Sequence, residues 1–326
     1  MNTVRWGMIG CGSVTELKSG PAFYKVPGSA LVAVMGRRED AVRDYAARHG
    51  IARYYTDAQA LVDDPEVDAV YIATPPDSHL EYSLMVAAAG KHCCVEKPMS
   101  MHAGQSELMQ RTFELAGLHL FVSYYRRSLP RFREVREWLQ AGRIGELRHL
   151  SWTLCKPPSP VDASAANWRT DPAVAGGGYF ADLASHGFDL FQYLVGDIVD
   201  VAGFTAHQAG RYAAEDAVTA SWRFGSGALG MGCWNFVADR REDRVELIGS
   251  QGRITFAVFE DQPLRLEGAM SETLEVANPQ HIQWHHVEAM NAHIRGDLVH
   301  PSLAIEALKT DRIMDRILRA IVKSGV

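Results

Sequence analysis

The chain has 326 residues, of which 47% are hydrophobic and 22% are charged, a length and composition that suit about two globular domains. Its formal net charge of -6, without any lysine- or arginine-rich run, argues against a nucleic-acid partner. The sequence has no basic start followed by a long apolar segment, and no later apolar run of about 18 residues. We therefore expect a cytoplasmic protein without a membrane partner.

Short apolar runs alternate with amphipathic helical patterns in the first 120 residues. The apolar runs are Val4–Ile9, 30–35, 69–73 and 93–95. The helical patterns between them include 40–49 and 78–89. Apolar strands separated by helices are typical of a parallel, doubly wound sheet, which binds ligands beyond the carboxyl ends of its strands. We predict an α/β fold with an N-terminal Rossmann domain over residues 1–120.

From about Leu147 the sequence becomes β-rich, with glycine-containing turns such as FGSGA and GSQGR between the predicted strands. These strands lie within 149–155, 199–208, 215–224, 227–236, 243–250 and 252–258. Helical patterns over 282–295 and 303–322 follow, and we expect them to pack back near the domain junction. Residues 121–326 are thus predicted to form a C-terminal α/β domain with an open, mostly antiparallel sheet.

A glycine turn, Gly10-Cys11-Gly12, follows the first predicted strand directly. Such a turn lets the backbone approach a pyrophosphate, and the helix that begins at Ser13 and Val14 offers it amide donors. Two departures from the usual motif leave a plain tight turn as the alternative. Thr15 stands where glycine or alanine is usual, and Gly20-Pro21 interrupts the helix.

The second predicted strand ends in Gly36-Arg37-Arg38, where an NAD enzyme usually carries an acidic residue for the ribose hydroxyls. Arg37 and Arg38 suit a 2′-phosphate, so the sequence favours NADP(H), with NAD(H) as the alternative. Glu39 and Asp40 follow immediately and would compete for the arginines. The other interpretation of the two arginines is a pair of solvated surface charges.

The cysteines and histidines do not indicate a metal site. The five cysteines are odd in number, dispersed and without Cys-x-x-Cys spacing, so we expect reduced thiols. His285 and His286 are adjacent, yet no acidic or cysteine partner stands at ligand spacing. We predict that no metal is bound.

Two further segments follow the fourth and fifth predicted strands, namely Thr74-Pro75-Pro76-Asp77-Ser78-His79 and Glu96-Lys97-Pro98. Together with the glycine turn and with 167–172, 176–189 and 243–256, they resemble the Gfo/Idh/MocA oxidoreductases over nearly the whole chain. The pattern is most similar to NADPH-dependent members of the 1,5-anhydrofructose reductase type.

The resemblance implies hydride transfer between NAD(P) and a hydroxyl or carbonyl carbon of a sugar, polyol or related small molecule. Lys97 would lie beside the nicotinamide and stabilise a developing alkoxide. His186 would transfer the proton, and Asp182, four residues earlier on one helix, would orient the imidazole or bind a substrate hydroxyl. The expected cofactor contacts are Gly10, Gly12, Ser13, Val14, Arg37, Arg38, Thr74, Pro75, His79, Glu96 and Lys97.

The family resemblance also implies a substrate-binding C-terminal domain and a homodimer or homotetramer formed through its sheet. Two predicted strands carry large aromatic side chains, which we expect to be divided between a helix-covered face and a partner-covered face: Trp222, Phe224, Trp234 and Phe236. The sequence assigns no role to five further residues, and it does not identify the substrate. These residues are Tyr124, Tyr125, Arg126, Trp168 and Asp189.

Two other functions stay open at this point. A protein of the same fold can sense a dinucleotide and bind another protein without turnover. A redox-neutral glycoside-processing enzyme would retain tightly bound NAD and consume no free cofactor. The presence of Lys97, Asp182 and His186 together favours the dehydrogenase or reductase.

Overall fold

The computed structural model describes residues 3–164 and 167–319. The chain divides into two units, each built from two stretches of sequence. The first unit comprises Met1–Ser128 and Pro279–Leu308, and the second comprises Leu129–Asn278 and the chain from Lys309 onwards. The single domain boundary after residue 120 stays a prediction.

The secondary structure alternates strands and helices at first and is mainly β later. The strands are β1 Val4–Ile9, β2 Ser29–Met35, β3 Arg53–Tyr55, β4 Ala69–Ile72, β5 His92–Val95, β6 Leu120–Val122, β7 Leu147–Cys155, β8 Ile198–Ala206, β9 Ala217–Phe224, β10 Leu229–Asn235, β11 Glu242–Gly249, β12 Arg253–Phe256, β13 Leu264–Glu267 and β14 Glu272–Leu274. The helices are α1 Ser13–Leu17, α2 Ala22–Lys25, α3 Glu39–His49, α4 Ala58–Val62, α5 His79–Ala88, α6 Ala103–Leu115, α7 Pro130–Gln140, α8 Pro172–Ala175, α9 Tyr179–Val195, α10 Trp284–Ile294 and α11 Ala304–Leu318. Short 3₁₀ turns span Pro76–Ser78, Tyr125–Ser128, Pro160–Ala163 and Trp168–Thr170.

The first unit contains a six-stranded sheet of order β3-β2-β1-β4-β5-β6, and every neighbouring pair is parallel. Successive residues of the strands other than β3 enter two different apolar clusters, as Val34 and Met35 of β2 do. Because side chains alternate across a strand, the two clusters lie on opposite faces of the sheet. The predicted doubly wound parallel sheet is therefore confirmed.

The second unit contains an eight-stranded sheet of order β14-β13-β12-β11-β7-β10-β9-β8. Its neighbouring strands are antiparallel except for β7 and β10, which are parallel. This sheet confirms the predicted open, mostly antiparallel C-terminal sheet. Its two short last strands, β13 and β14, are not among the predicted strands. Helix α11 lies within the helical pattern predicted over 303–322, of which 320–322 lie outside the described residues.

The prediction that the aromatic side chains divide between both faces of this sheet is wrong. All four are at most 3% exposed: Trp222, Phe224, Trp234 and Phe236. Residues two apart in a strand point to the same side, so Trp222 and Phe224 of β9 lie on one face, and Trp234 of β10 lies on the same face as Trp222. The other face carries Ser221, Leu229 and Met231, and the last two are 55% and 52% exposed.

Helix α9 packs against the buried face of this sheet at a glycine. A Cβ at Gly187 would overlap the ring of Trp152 on β7, so only glycine permits this close approach. The rings of Phe188 and Phe191, on the same helix, contact Trp222 with centroids 5.1 and 6.1 Å away. Aromatic packing therefore fixes α9 on the sheet.

No helix in the described ranges is long and apolar enough to cross a membrane. All five cysteines are free thiols, and two of them, Cys93 and Cys94, are buried in β5.

A cluster of five histidines lies in the first unit, around β5, β6 and α10: His92, His119, His286, His293 and His300. The rings of His92 and His119 stack with centroids 4.7 Å apart, and Nε2 of His293 lies 3.2 Å from Nδ1 of His119. The rings of His286 and His300 also lie 4.7 Å apart. Burial lowers the pKa of every member, that of His92 to about 4 and that of His286 to about 3.

We predict that this cluster makes the folded chain sensitive to acid. Fully buried His286 stays neutral in the folded chain to about pH 3, whereas the unfolded chain binds the proton near pH 6.5. The free energy of unfolding should therefore fall by about 1.4 kcal/mol per pH unit for this residue as the pH drops below 6.5. Urea unfolding between pH 7 and pH 4.5 should show a shallower fall for His286→Gln than for the wild type.

The control is His285→Gln, because His285 lies on the same helix but is partly exposed beside Glu288. Its pH profile should parallel the wild-type profile. An equally steep fall for His286→Gln and the wild type would contradict the assignment.

Candidate active site

The last residues of four neighbouring strands of the parallel sheet lie side by side. Ile9 of β1 is in register with Met35 of β2 and with Ile72 of β4, which is in register with Val95 of β5. At about 4.8 Å per strand, the segments that follow leave one sheet edge over a width of roughly 15 Å. Every cofactor residue predicted from the sequence lies in one of these four segments.

The glycine turn after β1 fits closely between two neighbouring strands. Gly10 has a φ of 101°, and a Cβ there would lie 2.9 Å from the carbonyl oxygen of Ala73, just beyond β4. Only glycine combines this conformation with this approach. On the exposed side of the turn, a Cβ at Gly12 would meet no atom within 4 Å. This open backbone suits the pyrophosphate of a dinucleotide.

Helix α1 is short, as the Gly20-Pro21 interruption predicts. Ser13 and Val14 begin it, and Ser13 is exposed. Thr15, at the unusual third motif position, is fully buried and donates from its hydroxyl to the carbonyl of Gly12 at 2.8 Å. Tyr45 of α3 in turn donates to the carbonyl of Thr15 at 2.9 Å. Thr15 thus closes the turn through hydrogen bonds.

The segment after β2 presents two exposed arginines. The Arg38 guanidinium contacts the Asp40 carboxylate at 3.3 Å, with both side chains more than 70% exposed, and this hydrogen bond lowers the pKa of Asp40. Arg37 makes no hydrogen bond or ion pair with any residue that the structure describes. Asp40 therefore competes with a bound phosphate for Arg38 and not for Arg37.

His79 ties the segment after β4 to the segment after β5. Its Nε2 lies 2.8 Å from the carbonyl oxygen of Thr74, and its Nδ1 lies 3.0 Å from that of Pro98. The side chain is fully buried, and burial lowers its pKa although the carbonyl contacts oppose the shift. Ser78 also donates to the Thr74 hydroxyl and the Pro75 carbonyl. The arrangement holds both loops from within.

Glu96 anchors the segment that carries Lys97. Its carboxylate accepts hydrogen bonds from the Tyr71 hydroxyl at 2.5 Å, the Gln283 amide at 2.9 Å and the Lys97 backbone N–H at 3.3 Å. Glu96 is 9% exposed, whereas Lys97 is partly exposed. Burial raises the pKa of Tyr71, which keeps its hydroxyl a donor. Gln283 is absent from the sequence-based prediction, because it lies 187 residues from Glu96 in the chain.

Asp182 and His186 lie one turn apart on α9, in the second unit. The Asp182 carboxylate lies 3.5 Å from Nε of Arg169, and the Arg169 guanidinium stacks 4.4 Å from the Trp168 ring. His186 is 4% exposed and meets the ring of Phe259 edge to face at 5.8 Å. One helix therefore carries both predicted side chains, Asp182 and His186. The third predicted catalytic residue, Lys97, belongs to the first unit.

A polar cluster that the sequence did not predict holds the first residue of α9. The buried Asp162 carboxylate accepts from the Tyr179 hydroxyl at 2.6 Å and from Lys156 at 3.1 Å. The Lys156 ammonium also lies 3.7 Å from the centre of the Tyr179 ring. Burial opposes ionisation, but the donors keep the pKa of Asp162 below its usual value. This ion pair fixes the start of the helix that carries Asp182.

The residues without an assigned role lie in both units. Tyr124 is buried, and Arg126 stacks 4.9 Å from the ring of Tyr125 in the turn after β6. Trp168 begins a short turn, and Asp189 is fully buried on α9. In the described ranges, no group of three or more histidine, cysteine or acidic side chains is arranged to bind a metal.

Two family models match the chain. Residues 4–124 match an oxidoreductase family with an NAD-binding Rossmann fold, and residues 132–255 match the GFO/IDH/MocA C-terminal domain. An oxidoreductase of Formosa agariphila is 34% identical over 96% of this chain and 97% of its own length. The 1,5-anhydro-D-fructose reductase of Ensifer adhaerens is 29% identical over 77% of this chain and 74% of its own length.

A solved structure shares the fold over the full length. It is a levoglucosan dehydrogenase in complex with NADH and levoglucosan, with a TM-score of 0.85 and 23% identity. The match covers 99% of this chain and 98% of that one.

Proposed function

The chain belongs to the Gfo/Idh/MocA family of NAD(P)-dependent oxidoreductases that act on CH–OH groups, and we propose that its substrate is a sugar, a polyol or a related small molecule. One observation carries the proposal. The sheet edge that bears the open glycine turn also bears Lys97, so a dinucleotide held along that edge would lie beside this lysine. The substrate class is supported by the relatives, which are named for 1,5-anhydro-D-fructose and levoglucosan.

The proposed chemistry assigns one role each to Lys97, His186 and Asp182. When bound, the dinucleotide supplies or accepts the hydride. Lys97 stabilises negative charge on the substrate oxygen as the C–H bond forms or breaks. His186 gives a proton to that oxygen or takes it, and Asp182 orients the imidazole or binds a neighbouring hydroxyl.

The remaining residues hold the cofactor directly or through the backbone. Gly10, Gly12, Ser13 and Val14 bind the pyrophosphate, while Thr74 and Pro75 line the nicotinamide half. His79 and Glu96 are both enclosed and hydrogen-bonded to the protein, so we assign them to shaping the loops that carry Thr74 and Lys97.

NADP(H) is the proposed cofactor. No acidic side chain stands at the first three positions after β2, and Arg37 has no competing carboxylate in the described structure. A guanidinium there matches the 2′-phosphate in bidentate fashion. Arg38, which Asp40 holds, contributes less.

We further propose a homodimer or homotetramer that forms through the exposed face of the second unit's sheet. This face has a shallow cavity of about 450 Å³ lined by Ser221, Arg223, Leu229 and Met231 among others. Phe204 on β8 is 78% exposed on the same side. Apolar side chains grouped on an open sheet face indicate a partner surface, and a second copy presents the same small and apolar residues. We place this oligomer in the cytoplasm, where free thiols persist.

The catalytic assignment predicts that Lys97→Met and His186→Ala each lower kcat by about 10² or more while changing cofactor affinity little. Turnover is measured with NADPH and NADP⁺ on a panel of anhydro sugars, aldoses, ketoses and inositols. Lys91→Met is the control, because Lys91 precedes the other end of β5 and donates to the carbonyl of Asp64. Near-normal turnover in either catalytic variant removes that residue from the mechanism.

The cofactor assignment predicts at least tenfold tighter binding of NADPH than of NADH, measured by fluorescence titration. Arg37→Ala should remove more of this preference than Arg38→Ala, because Asp40 already engages Arg38. Arg43→Ala, an exposed change on α3, should leave both affinities unchanged. Equal or tighter NADH binding by the wild type would show that the arginines are solvated surface charges.

The oligomer assignment predicts that Met231→Asp dissociates the wild-type assembly, because it places a charge among the exposed apolar side chains of the sheet face. Sedimentation velocity compares the two proteins with Leu115→Asp, a matched change at a 77% exposed leucine of α6. Leu115→Asp should sediment like the wild type. A monomeric wild type, or equal dissociation by both variants, would contradict the proposed interface.

A further inference from the structure

The Glu96 carboxylate collects donors from three separate parts of the first unit. Tyr71 lies near the end of β4, Gln283 lies just before α10, and the third donor is the backbone N–H of Lys97. Tyr71 is fully buried and Gln283 is 1% exposed. Since a buried carboxylate needs several donors, loss of one side-chain donor must alter how the carboxylate sits.

The same carboxylate also bonds to the backbone of Lys97, at the point where the chain leaves β5. The backbone N–H of Glu96 still bonds to the carbonyl of Ile72, which continues the ladder between β4 and β5. The next N–H, that of Lys97, bonds instead to the Glu96 side chain. The direction in which the chain leaves the sheet at Lys97 therefore depends on the orientation of this side chain.

On this basis we propose that Tyr71 and Gln283 are positioning residues that act on Lys97 through the Glu96 carboxylate. The inference rests on the proposed catalytic role of Lys97 and extends it to two buried residues outside the proposed catalytic and cofactor-binding set. The two donors bind the same oxygen, Oε1, and leave Oε2 directed at the Lys97 N–H. When either donor is lost, the Glu96 carboxylate rotates towards another hydrogen-bond donor, and the hydrogen bond that orients the Lys97 backbone changes.

The test uses the Lys97 side chain itself as the reporter. The chain has only seven lysines, so ¹³C-dimethylation gives an NMR spectrum in which the Lys97 signal is identified by its loss in Lys97→Met. Tyr71→Phe and Gln283→Met each remove one donor and nearly conserve volume. In both variants we expect the Lys97 signal to shift by more than its linewidth. We also expect kcat on the best panel substrate to fall roughly 10- to 100-fold, with NADPH affinity little changed.

Asn291→Leu is the matched control. Asn291 lies on α10, is 1% exposed and accepts a hydrogen bond at 2.9 Å from the Trp6 indole, so its loss costs a comparable buried bond away from Glu96. It should lower thermal stability without moving the Lys97 signal. In a Glu96→Gln background, Gln283→Met should add little to the loss of kcat, because the path through Glu96 is already broken.

The outcomes separate this inference from the proposed function. An unchanged Lys97 signal and kcat in folded Tyr71→Phe and Gln283→Met overturn the positioning role, as does an equal shift of the signal in Asn291→Leu. A shifted signal in the two variants, with full turnover by Lys97→Met, supports the positioning role and removes Lys97 from catalysis.

Discussion

Parallel strands in register must all end at one edge of their sheet, and the location of every candidate cofactor residue follows from this constraint. The row of strand ends formed by Met35, Ile9, Ile72 and Val95 brings together four segments that are separated by up to 86 residues of sequence, the distance from Ile9 to Val95. The close approach at Gly10 shows how little space separates two of them. Any side chain larger than hydrogen there would push the glycine turn away from β4.

Two polar side chains at this edge, Glu96 and His79, are held in place by burial and by close polar contacts. Glu96 is enclosed and bonded to three donors, and His79 is enclosed between two carbonyl groups. Lys97 remains partly exposed beside them. A buried, hydrogen-bonded support beneath a partly exposed lysine is the arrangement that electrostatic stabilisation of a substrate oxygen requires, since the group needs little reorganisation when charge develops. The second unit repeats the principle, because the buried Asp162 fixes the start of the helix that carries Asp182 and His186.

The sequence predicts those parts of the structure that rest on local patterns. The buried strands β1, β2, β4 and β5 are apolar runs, and the glycine turn and the arginines follow two of them directly. The short strands β3, β13 and β14 are only three or four residues long, and each includes charged or polar side chains. Their pairing is therefore set by neighbouring strands and not by their own composition. Gln283 and the Lys156–Asp162 pair were missed because their partners are determined by the folded chain. The misassigned aromatic faces followed from neglecting the two-residue period of a strand.

Transfer of a labelled hydride tests the central claim most directly. The protein is incubated with NADPH that carries deuterium at C4 of the nicotinamide, in both stereochemical forms, and with a panel of sugar ketones and aldehydes. The account predicts that one form gives a reduced product with one carbon-bound deuterium for each NADPH consumed, as mass spectrometry would show. Tight NADPH binding without deuterium transfer to any panel member would contradict the account and favour a dinucleotide-sensing protein. Tightly bound NAD that copurifies, with substrate converted but no free cofactor consumed, would contradict it in favour of a redox-neutral enzyme.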